Sequence, residues 1–475
     1  IHCKTSQIPW AAFQGRSEKK GWNGMAGPMK RESLDTLFEE FKKYNYIDAA
    51  LNEKYNVKRG LRNSDGTGVL AGLTQICNVH GYVINEGEKY PEEGELTYRG
   101  IDVREMVQSC IDENRYGYEE VSYLLLFGHL PNEKQLEFYK TVLSQARALP
   151  MDFVQDMILK SPSRDIMNKI GRSILSLYSY DDFAEETGVQ AELKKALYII
   201  ARMPTIMVNG YMAKIGHYDN ESTYFHPVRP NETIAQSILS TLRITREYTE
   251  EEAHLLDICL MLHAEHGGGN NSTFVCRALT SAGTDAYAAY SGAVGSLKGF
   301  RHGGANRKVS EMLETIKQGV RHWDSDEEVS DFLWEIIQKK KGDGSGLIYG
   351  MGHAVYTLSD PRAIILRDNA QKLAETKGML DEFELIKRIE RLTPVVMAER
   401  KGSTKEMCAN VDLYSGFVYR MLGIPEELFT PLFATARMSG WCAHRIEEYM
   451  TCSRIMRPAY KSVVRKKPYV PIRER

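Results

Sequence analysis

Residues 427–449, ELFTPLFATARMSGWCAHRIEEY, set the fold class, because apolar residues recur through them with the 3.6-residue period of a helix. The same period recurs through 117–147, 189–216, 232–264, 308–320 and 328–339, and through a stripe formed by Phe383, Ile386 and Ile389. Strand-like alternation is confined to 77–99, which predicts at most a small hairpin. The sequence therefore predicts a mainly α-helical protein with a minor β-hairpin in its N-terminal part.

The overall composition indicates a globular protein with two or three domains, or one large domain carrying a smaller one. Hydrophobic residues make up 43% of the 475 residues, and the net charge of -2 creates no general attraction for nucleic acid or membrane. No apolar run approaches the roughly 20 residues that cross a bilayer. The eight cysteines include no CxxC pair, which favours reduced thiols in a cytoplasmic protein.

The two ends of the chain are unusual. Residues 1–28 lack clear periodicity and contain several basic residues but only one acidic one, so they are a transit peptide or an unrelated extension. A transit peptide would place the protein in the mitochondrial matrix instead of the cytoplasm. Residues 454–475 contain eight basic residues and one acidic residue, which is typical of a solvated basic tail.

His266 ends an apolar helix and precedes three glycines. His263 and His266 could bind a metal together, but their order is not HExxH and no third ligand lies at the usual spacing, so no metal is predicted. Glycines there end the helix and let the backbone approach a ligand. His266 therefore either donates a hydrogen bond to a bound carbonyl or carboxylate, or is an ordinary helix-end histidine.

Three segments each present one proton-transfer group: His302 before Gly303-Gly304-Ala305-Asn306, His353 within 350–356, and Asp412 between Val411 and Leu413. Two imidazoles and one carboxylate suit chemistry that removes a proton from carbon and delivers one to oxygen. A helix N-terminus after His302 would keep that imidazole neutral. Asp412 lies between two apolar residues, so it is either a general base with a raised pKa or the N-cap of a helix.

Three arginines are candidates for carboxylate binding. Arg362 leaves a Ser359-Asp360-Pro361 turn, and Arg437 lies inside an apolar helix, where a guanidinium is costly unless it is paired. With Arg457 they could clamp a di- or tricarboxylate, although each one alone could equally form an ordinary salt bridge.

The glycine-rich run 344–352 does not have the GxGxxG spacing of a dinucleotide loop, and no strand precedes it. A nucleotide-bearing molecule could still lie against it, or the run could be a flexible hinge.

Taken together and in this order, these segments resemble the citrate synthase family, from about Met29 to about Tyr460. The stretch Gly94-Glu95-Leu96-Thr97-Tyr98-Arg99-Gly100-Ile101-Asp102 is similar to that family's GxLxYRGxD. The resemblance implies that Asp412 takes a methyl proton from acetyl-CoA, that His302 holds the thioester oxygen, and that His353 donates to the carbonyl of oxaloacetate. Citryl-CoA would then be hydrolysed to citrate and CoA.

The resemblance also implies the binding residues. Oxaloacetate and citrate would contact His266, Arg362 and Arg437, with Arg457 supplied across a homodimer interface. The adenine of CoA would lie near Leu347, Ile348, Tyr349, Gly350 and Gly352. No bound cofactor, metal, nucleic acid or membrane is expected, and acetyl-CoA serves as a co-substrate. The implied fold has a large helical domain (29–302 and 426–475) and a small helical domain (303–425) that closes over the active site.

Several alternatives remain open. A 2-methylcitrate synthase uses propionyl-CoA with the same groups, and one methylene changes selectivity by only about 1–3 kcal/mol. A citryl-CoA lyase would share the machinery, and a non-catalytic carboxylate- or CoA-binding protein would be expected to lack one of the three proton-transfer groups. The sequence does not distinguish a dimer from a larger oligomer, nor does it indicate regulation by NADH.

Overall fold

The computed structural model describes residues 31–44, 46–63, 65–86, 88–403, 406–451 and 454–475. Residues 1–28 lie outside these ranges, so the expectation about them stays a prediction. The chain divides into two units, Ile1–Ala71 and Gly72–Arg475.

The described part of the first unit is short and mostly exposed. It contains α1 (Arg31–Tyr44), α2 (Ala50–Lys54), one 3₁₀ turn at Arg59–Leu61 and an isolated bridge between Arg62 and Gly68.

The second unit begins with a three-stranded antiparallel sheet in the order β1-β2-β3, comprising Cys77–Asn85, Glu88–Tyr98 and Ile101–Asp102. The hairpin lies within 77–99, as predicted. Its outer half carries charged residues that hide the strand pattern, and cross-strand contacts stabilise that half. His80 lies 2.8 Å from Glu92, and the ammonium of Lys89 lies 3.7 Å from the ring centre of Tyr82.

Helices make up most of the remaining chain, which confirms the predicted fold class. They are α3 (Val103–Asp112), α4 (Tyr118–Phe127), α5 (Glu133–Ala146), α6 (Ile166–Leu177), α7 (Val189–Lys214), α8 (Ile234–Leu242), α9 (Glu250–His263), α10 (Asn271–Ser281), α11 (Ala286–Lys298), α12 (Ala305–Gly319), α13 (Asp326–Ile337), α14 (Pro361–Thr376), α15 (Leu380–Lys401), α16 (Val411–Met421) and α17 (Phe429–Thr451). Two π-helical stretches lie at Val154–Leu159 and Ile215–Asp219. Within the described residues, no helix is long and apolar enough to cross a membrane.

The helix predicted from 427–449 is α17, and it is buried along most of its length. It packs against α4, α7, α9, α10 and α11. Leu432, Met438 and Trp441 are completely buried, and Pro431 is tolerated because it lies in the first helical turn. A helix surrounded by other helices must be apolar on all sides, so any polar group on it needs a specific partner.

The helices between residues 303 and 425 pack on one another, with α14 and α12 against α16 and α13 against α15. Phe383, Ile386 and Ile389 are completely buried, which confirms the stripe predicted for α15. The ring of Phe383 stacks on that of Phe417 with 5.7 Å between centres. This aromatic contact joins α15 to α16, the helix that carries Asp412.

Replacing Phe383 with Ala should lower the free energy of unfolding by about 3–5 kcal/mol, because it removes a fully buried ring and leaves a cavity. Calorimetric unfolding measures this as a lower melting temperature. The matched control is Phe138→Ala on α5, where the ring is 72% exposed and the change should stay within about 0.5 kcal/mol. Equal effects of the two changes would contradict the packing described here.

Candidate active site

Arg437 lies within α17 and is completely buried. Its Nε donates a hydrogen bond to the carbonyl oxygen of His263 at 2.6 Å, and its guanidinium lies 4.8 Å from the ring centre of Phe433. Within the described residues, Nη1 and Nη2 of Arg437 have no hydrogen-bond partner. A buried guanidinium with unmet N–H groups is strongly unfavourable until an anion pairs with it. These two nitrogens can donate two parallel hydrogen bonds to the oxygens of a carboxylate.

His266 follows the end of α9, where Gly267 adopts a φ of +86° and turns the chain. In the part of the chain that the structure describes, the buried Nε2 of His266 has no partner. Burial, followed by the charge of Arg362, lowers the pKa of His266 well below its ordinary value, so the imidazole is neutral. The ring is therefore not an ordinary satisfied helix-end histidine, and it can bind a ligand by a hydrogen bond.

His353 is fixed in one tautomer by its own loop. The backbone N–H groups of Val355 and Tyr356 both donate to its Nδ1, each at 3.1 Å. A nitrogen that accepts two hydrogen bonds carries no proton, so the ring hydrogen is assigned to Nε2. The ring stacks on Tyr356 with 4.7 Å between centres and stands perpendicular to His266 at 5.1 Å. His353 thus presents an N–H donor beside His266.

Asn410 ties the His353 loop to the start of α16. Its backbone N–H donates to the Gly350 carbonyl at 2.8 Å, and its Nδ2 donates to the Gly352 carbonyl at 2.9 Å. Its Oδ1 accepts from the N–H of Asp412 at 3.0 Å, which makes Asn410 the N-cap of α16. Asp412 is therefore not the helix cap, and its carboxylate remains available for another role.

The carboxylate of Asp412 lies in the first turn of α16. Burial raises its pKa from the ordinary 3.8 to about 6, although the charges of Arg362 and Arg437 act in the opposite direction. A carboxylate with a pKa near 6 is ionised at neutral pH and still basic enough to accept a proton from a substrate. These properties are those of a general base.

His302 lies in the short link between α11 and α12. Its N–H donates to the Gly299 carbonyl at 2.8 Å, and the N–H of Gly303 donates to the Leu297 carbonyl at 2.9 Å. A Cβ atom at residue 303 would collide with the Leu297 carbonyl oxygen, so the tight link requires glycine. Burial lowers the pKa of His302 to about 4, and the charge of Arg437 adds to this effect. The imidazole is neutral, as predicted, but mainly because it is buried.

Ser272 orients the ring of His302. Its Oγ lies 3.2 Å from Nε2 of His302 and accepts from the indole N–H of Trp441, also at 3.2 Å. Ser272 has one hydroxyl hydrogen, which it can give to Oδ1 of Asn270 at 2.9 Å or to His302. When His302 accepts it, the ring hydrogen lies on Nδ1 and can be donated to a ligand.

Arg362 is buried at the start of α14. Its Nε and Nη2 contact the two carboxylate oxygens of Asp360 at 3.0 and 2.8 Å, and Asp360 also caps the helix. The pair is an internal salt bridge, which is the alternative left open by the sequence. The position of Arg362 still matters, because its charge lowers the pKa of His266 and of Asp412.

A shared electrostatic environment joins most of the predicted residues. The charge of Arg437 affects the pKa of His266, His302 and Asp412, and that of Arg362 affects the pKa of His266 and Asp412. A separate cavity of about 370 Å³ between α3, α9 and α14 contains none of them. The polar cluster around Arg437 is therefore the candidate site.

The structure does not bring every predicted residue into this cluster. Arg457 is exposed in the segment after α17, and none of the contacts described above involves it. Leu347 is 57% exposed, whereas Ile348 is buried. The hydroxyl of Tyr349 donates to Asp343 at 2.7 Å, and Gly350 has a φ of +82° where the loop passes the first turn of α16.

Some residues that shape the site were missed at the level of sequence. Asn410 precedes an apolar helix and has a typical N-cap identity, so its local signal was present. Ser272 and Trp441 carry no such signal, because their contact with His302 depends on tertiary packing. Within the described residues, no group of three or more His, Cys, Asp or Glu is arranged to hold a metal ion.

Replacing Asp412 with Asn should stabilise the protein at neutral pH. Folding raises the pKa of Asp412 from 3.8 to about 6, so ionising the folded protein costs up to roughly 3 kcal/mol. The stability contributed by the protonated acid is complete below the unfolded pKa and is lost as the pH rises through the folded one. The variant should therefore melt higher than the wild type above about pH 7 and gain nothing below about pH 4. A difference in melting temperature that does not change with pH would contradict this pKa.

Comparisons with known proteins identify the family of this chain. Residues 63–459 match the family model described as citrate synthase, C-terminal domain. The citrate synthase of Synechocystis sp. is 32% identical over 86% of this chain and 92% of its own length, and the 2-methylcitrate synthase of Shewanella oneidensis is 30% identical over 80% and 92%. The citrate synthase of the archaeon Thermoplasma acidophilum, solved as a ternary complex with carboxymethyl coenzyme A and oxaloacetate, superposes with a TM-score of 0.70 at 27% identity, over 88% of this chain and 99% of that one. The chain belongs to the citrate synthase family.

Proposed function

We propose that this protein is a citrate synthase, an acyltransferase that condenses acetyl-CoA with oxaloacetate and water to give citrate and CoA. The observation that carries the proposal is the buried guanidinium of Arg437, whose two terminal nitrogens have no partner within the described residues. A substrate carboxylate supplies the missing anion. The relative from Thermoplasma acidophilum was solved with oxaloacetate and a CoA analogue, which supports this substrate pair.

Oxaloacetate binding follows from the charges and donors of the cluster. Arg437 receives one carboxylate, and Arg362, held by Asp360, adds positive charge nearby. Nε2 of the neutral His266 is unoccupied, and it donates a hydrogen bond to oxaloacetate in the tautomer that carries the ring hydrogen on Nε2. The N–H at Nε2 of His353 donates to the ketone oxygen and polarises the carbon that is attacked.

Enolisation of acetyl-CoA is assigned to Asp412 and His302. Asp412 removes a proton from the methyl carbon, and Nδ1 of His302 donates a hydrogen bond to the thioester oxygen as it becomes an enol. The enol carbon then attacks the ketone carbon of oxaloacetate, the ketone oxygen takes the proton from Nε2 of His353, and citryl-CoA results; the proton held by Asp412 replaces the one that His353 gave up. Water adds to the thioester, and the CoA thiol leaves. No step uses a bound cofactor, and the adenine of CoA lies against the loop from Leu347 to Gly352.

We assign these groups to two domains, because the helices between residues 303 and 425 pack on one another. Residues 303–425 carry His353, Arg362 and Asp412 and form the small domain, whereas His266 and Arg437 belong to a large domain of 29–302 and 426–475. Closure of one domain over the other assembles the groups and excludes water while the enol exists. The protein acts as a homodimer in which Arg457 completes the partner's site, and the bacterial and archaeal relatives support a cytoplasmic location.

Thiol release tests the function directly. Acetyl-CoA should release free CoA only when oxaloacetate is present, and propionyl-CoA should react with a lower kcat/KM. Asp412→Ala and His353→Ala should each lower kcat by about 10²–10⁴ while circular dichroism stays unchanged, because each removes one proton-transfer group.

A higher kcat/KM for propionyl-CoA would instead identify a 2-methylcitrate synthase, the activity of the Shewanella oneidensis relative. Absence of release from both thioesters by folded protein would contradict the proposal, as would near-wild-type turnover in either variant.

Mixed dimers test the role of Arg457. In a dimer of one Arg457→Ala and one Asp412→Ala subunit, a site that borrows its arginine from the partner regains a complete set of groups. Mixing two weakly active variants should therefore restore roughly a quarter of the wild-type activity per subunit. Arg465→Ala, in the same exposed segment, is the matched control and should be fully active alone. No gain of activity on mixing would show that Arg457 does not act across an interface.

A further inference from the structure

A buried chain of hydrogen bonds ends at Glu265, which directly precedes His266 and whose charge acts on Arg437. His444 lies on α17, about two turns beyond Arg437, and Arg277 lies on α10. Glu265 and His444 are completely buried, and Arg277 is buried. Buried charged groups of this kind require an explanation beyond packing.

The direction of each hydrogen bond is fixed by chemistry. Nε and Nη2 of Arg277 lie 3.1 and 2.8 Å from Nδ1 of His444, and arginine can only donate. Nδ1 of His444 is therefore unprotonated, and the ring hydrogen lies on Nε2. Nε2 of His444 then donates to Oε1 of Glu265 at 2.9 Å. The same oxygen of Glu265 accepts the N–H of Gly267 at 2.6 Å.

The other end of the chain holds Arg277 in place. Its Nη1 donates to Glu448 at 2.6 Å, and its Nη2 also contacts Glu447. Glu447 in turn accepts the backbone N–H of Gln75 at 2.7 Å. Arg277 therefore has its charge met by carboxylates on α17, and it acts as a rigid donor towards His444.

Glu265 lies where the end of α9 packs closely against α17 at Gly440. A Cβ atom at residue 440 would collide with Oε2 of Glu265 and with the Ala264 carbonyl. Arg437, Gly440 and His444 lie at helix spacings of three and four, so they share one face of α17. Glu265 thus lies against that face between a cation and a hydrogen-bond donor.

We infer that Glu265, His444 and Arg277 form a positioning relay that sets the His266–Gly267 turn and offsets the charge of Arg437 in the empty site. The hydrogen bond from Gly267 fixes the residue that follows His266, so it fixes where Nε2 of His266 points. Glu265 balances Arg437 through space without filling Nη1 or Nη2, which stay available for the substrate. The relay acts on oxaloacetate binding and not on acetyl-CoA, so it rests on the proposed function.

Glu265→Gln tests the relay, because the amide keeps the shape and one acceptor oxygen but removes the charge. With the amide oxygen in the place of Oε1, the amide N–H₂ group replaces Oε2, so a hydrogen-bond donor stands where the carboxylate had an acceptor. Loss of the carboxylate charge alone would favour an anion at Arg437, so weaker binding reports the lost positioning of His266. The KM for oxaloacetate, and its dissociation constant by calorimetry without acyl-CoA, should both rise by about tenfold or more, and a fall in either would refute the relay. The KM for acetyl-CoA should stay within about twofold of wild type.

Glu192→Gln is the matched control. Glu192 is another buried glutamate that contacts α17, bonding Arg445 at 2.6 and 3.1 Å, and neither residue belongs to the site described above. This change should lower the melting temperature and leave both KM values unchanged. The relay would be refuted if Glu265→Gln left oxaloacetate binding unchanged, raised both KM values alike, or behaved like Glu192→Gln. Wild-type protein without oxaloacetate-dependent thiol release would refute the proposed function instead.

Discussion

The buried positive charge of Arg437 is the constraint on which the rest of the site depends. Its helix, α17, is surrounded by other helices, so the guanidinium has little access to water. One nitrogen is satisfied by the His263 carbonyl, which fixes the direction of the other two. Glu265, whose charge acts on Arg437 through space, is held by His444 and Gly267 and does not pair directly with these two atoms. The fold therefore holds a buried guanidinium with two unpaired nitrogens that can bind an anion, and this lowers the stability of the empty protein.

The same environment separates the protonation states that the chemistry needs. Burial lowers the pKa of His266 and His302, and the positive charge of Arg437 lowers both further. Burial raises the pKa of Asp412, while the same positive charge limits the rise. Low polarity thus makes the imidazoles neutral donors and the carboxylate a better base, and the arginine keeps that base ionised at neutral pH.

Local patterns were predictable from the sequence, whereas long-range contacts were not. The helical period predicted the fold class, and the buried stripe of α15 followed from it. The hairpin followed from the alternation in 77–99, although charged residues on its exposed outer half weaken the strand pattern. Asp412 was open to interpretation as a cap, and only the structure assigns that role to Asn410. The hydrogen bond between Glu265 and His444 joins residues that are 179 positions apart, so no local sequence motif predicts it.

Gly440 illustrates why the site cannot be read from helix propensity. Glycine inside a helix costs about 1 kcal/mol relative to alanine, so a sequence optimised for α17 alone would avoid it. A methyl group at residue 440 would collide with Glu265 and with the end of α9. The close approach that glycine permits places Arg437 and His444 on either side of the Glu265 carboxylate. The geometry of the relay therefore explains why glycine, which weakens the helix locally, occurs here. Alanine would favour the helical conformation of α17 but would push α17 away from the end of α9, and these two elements build the site.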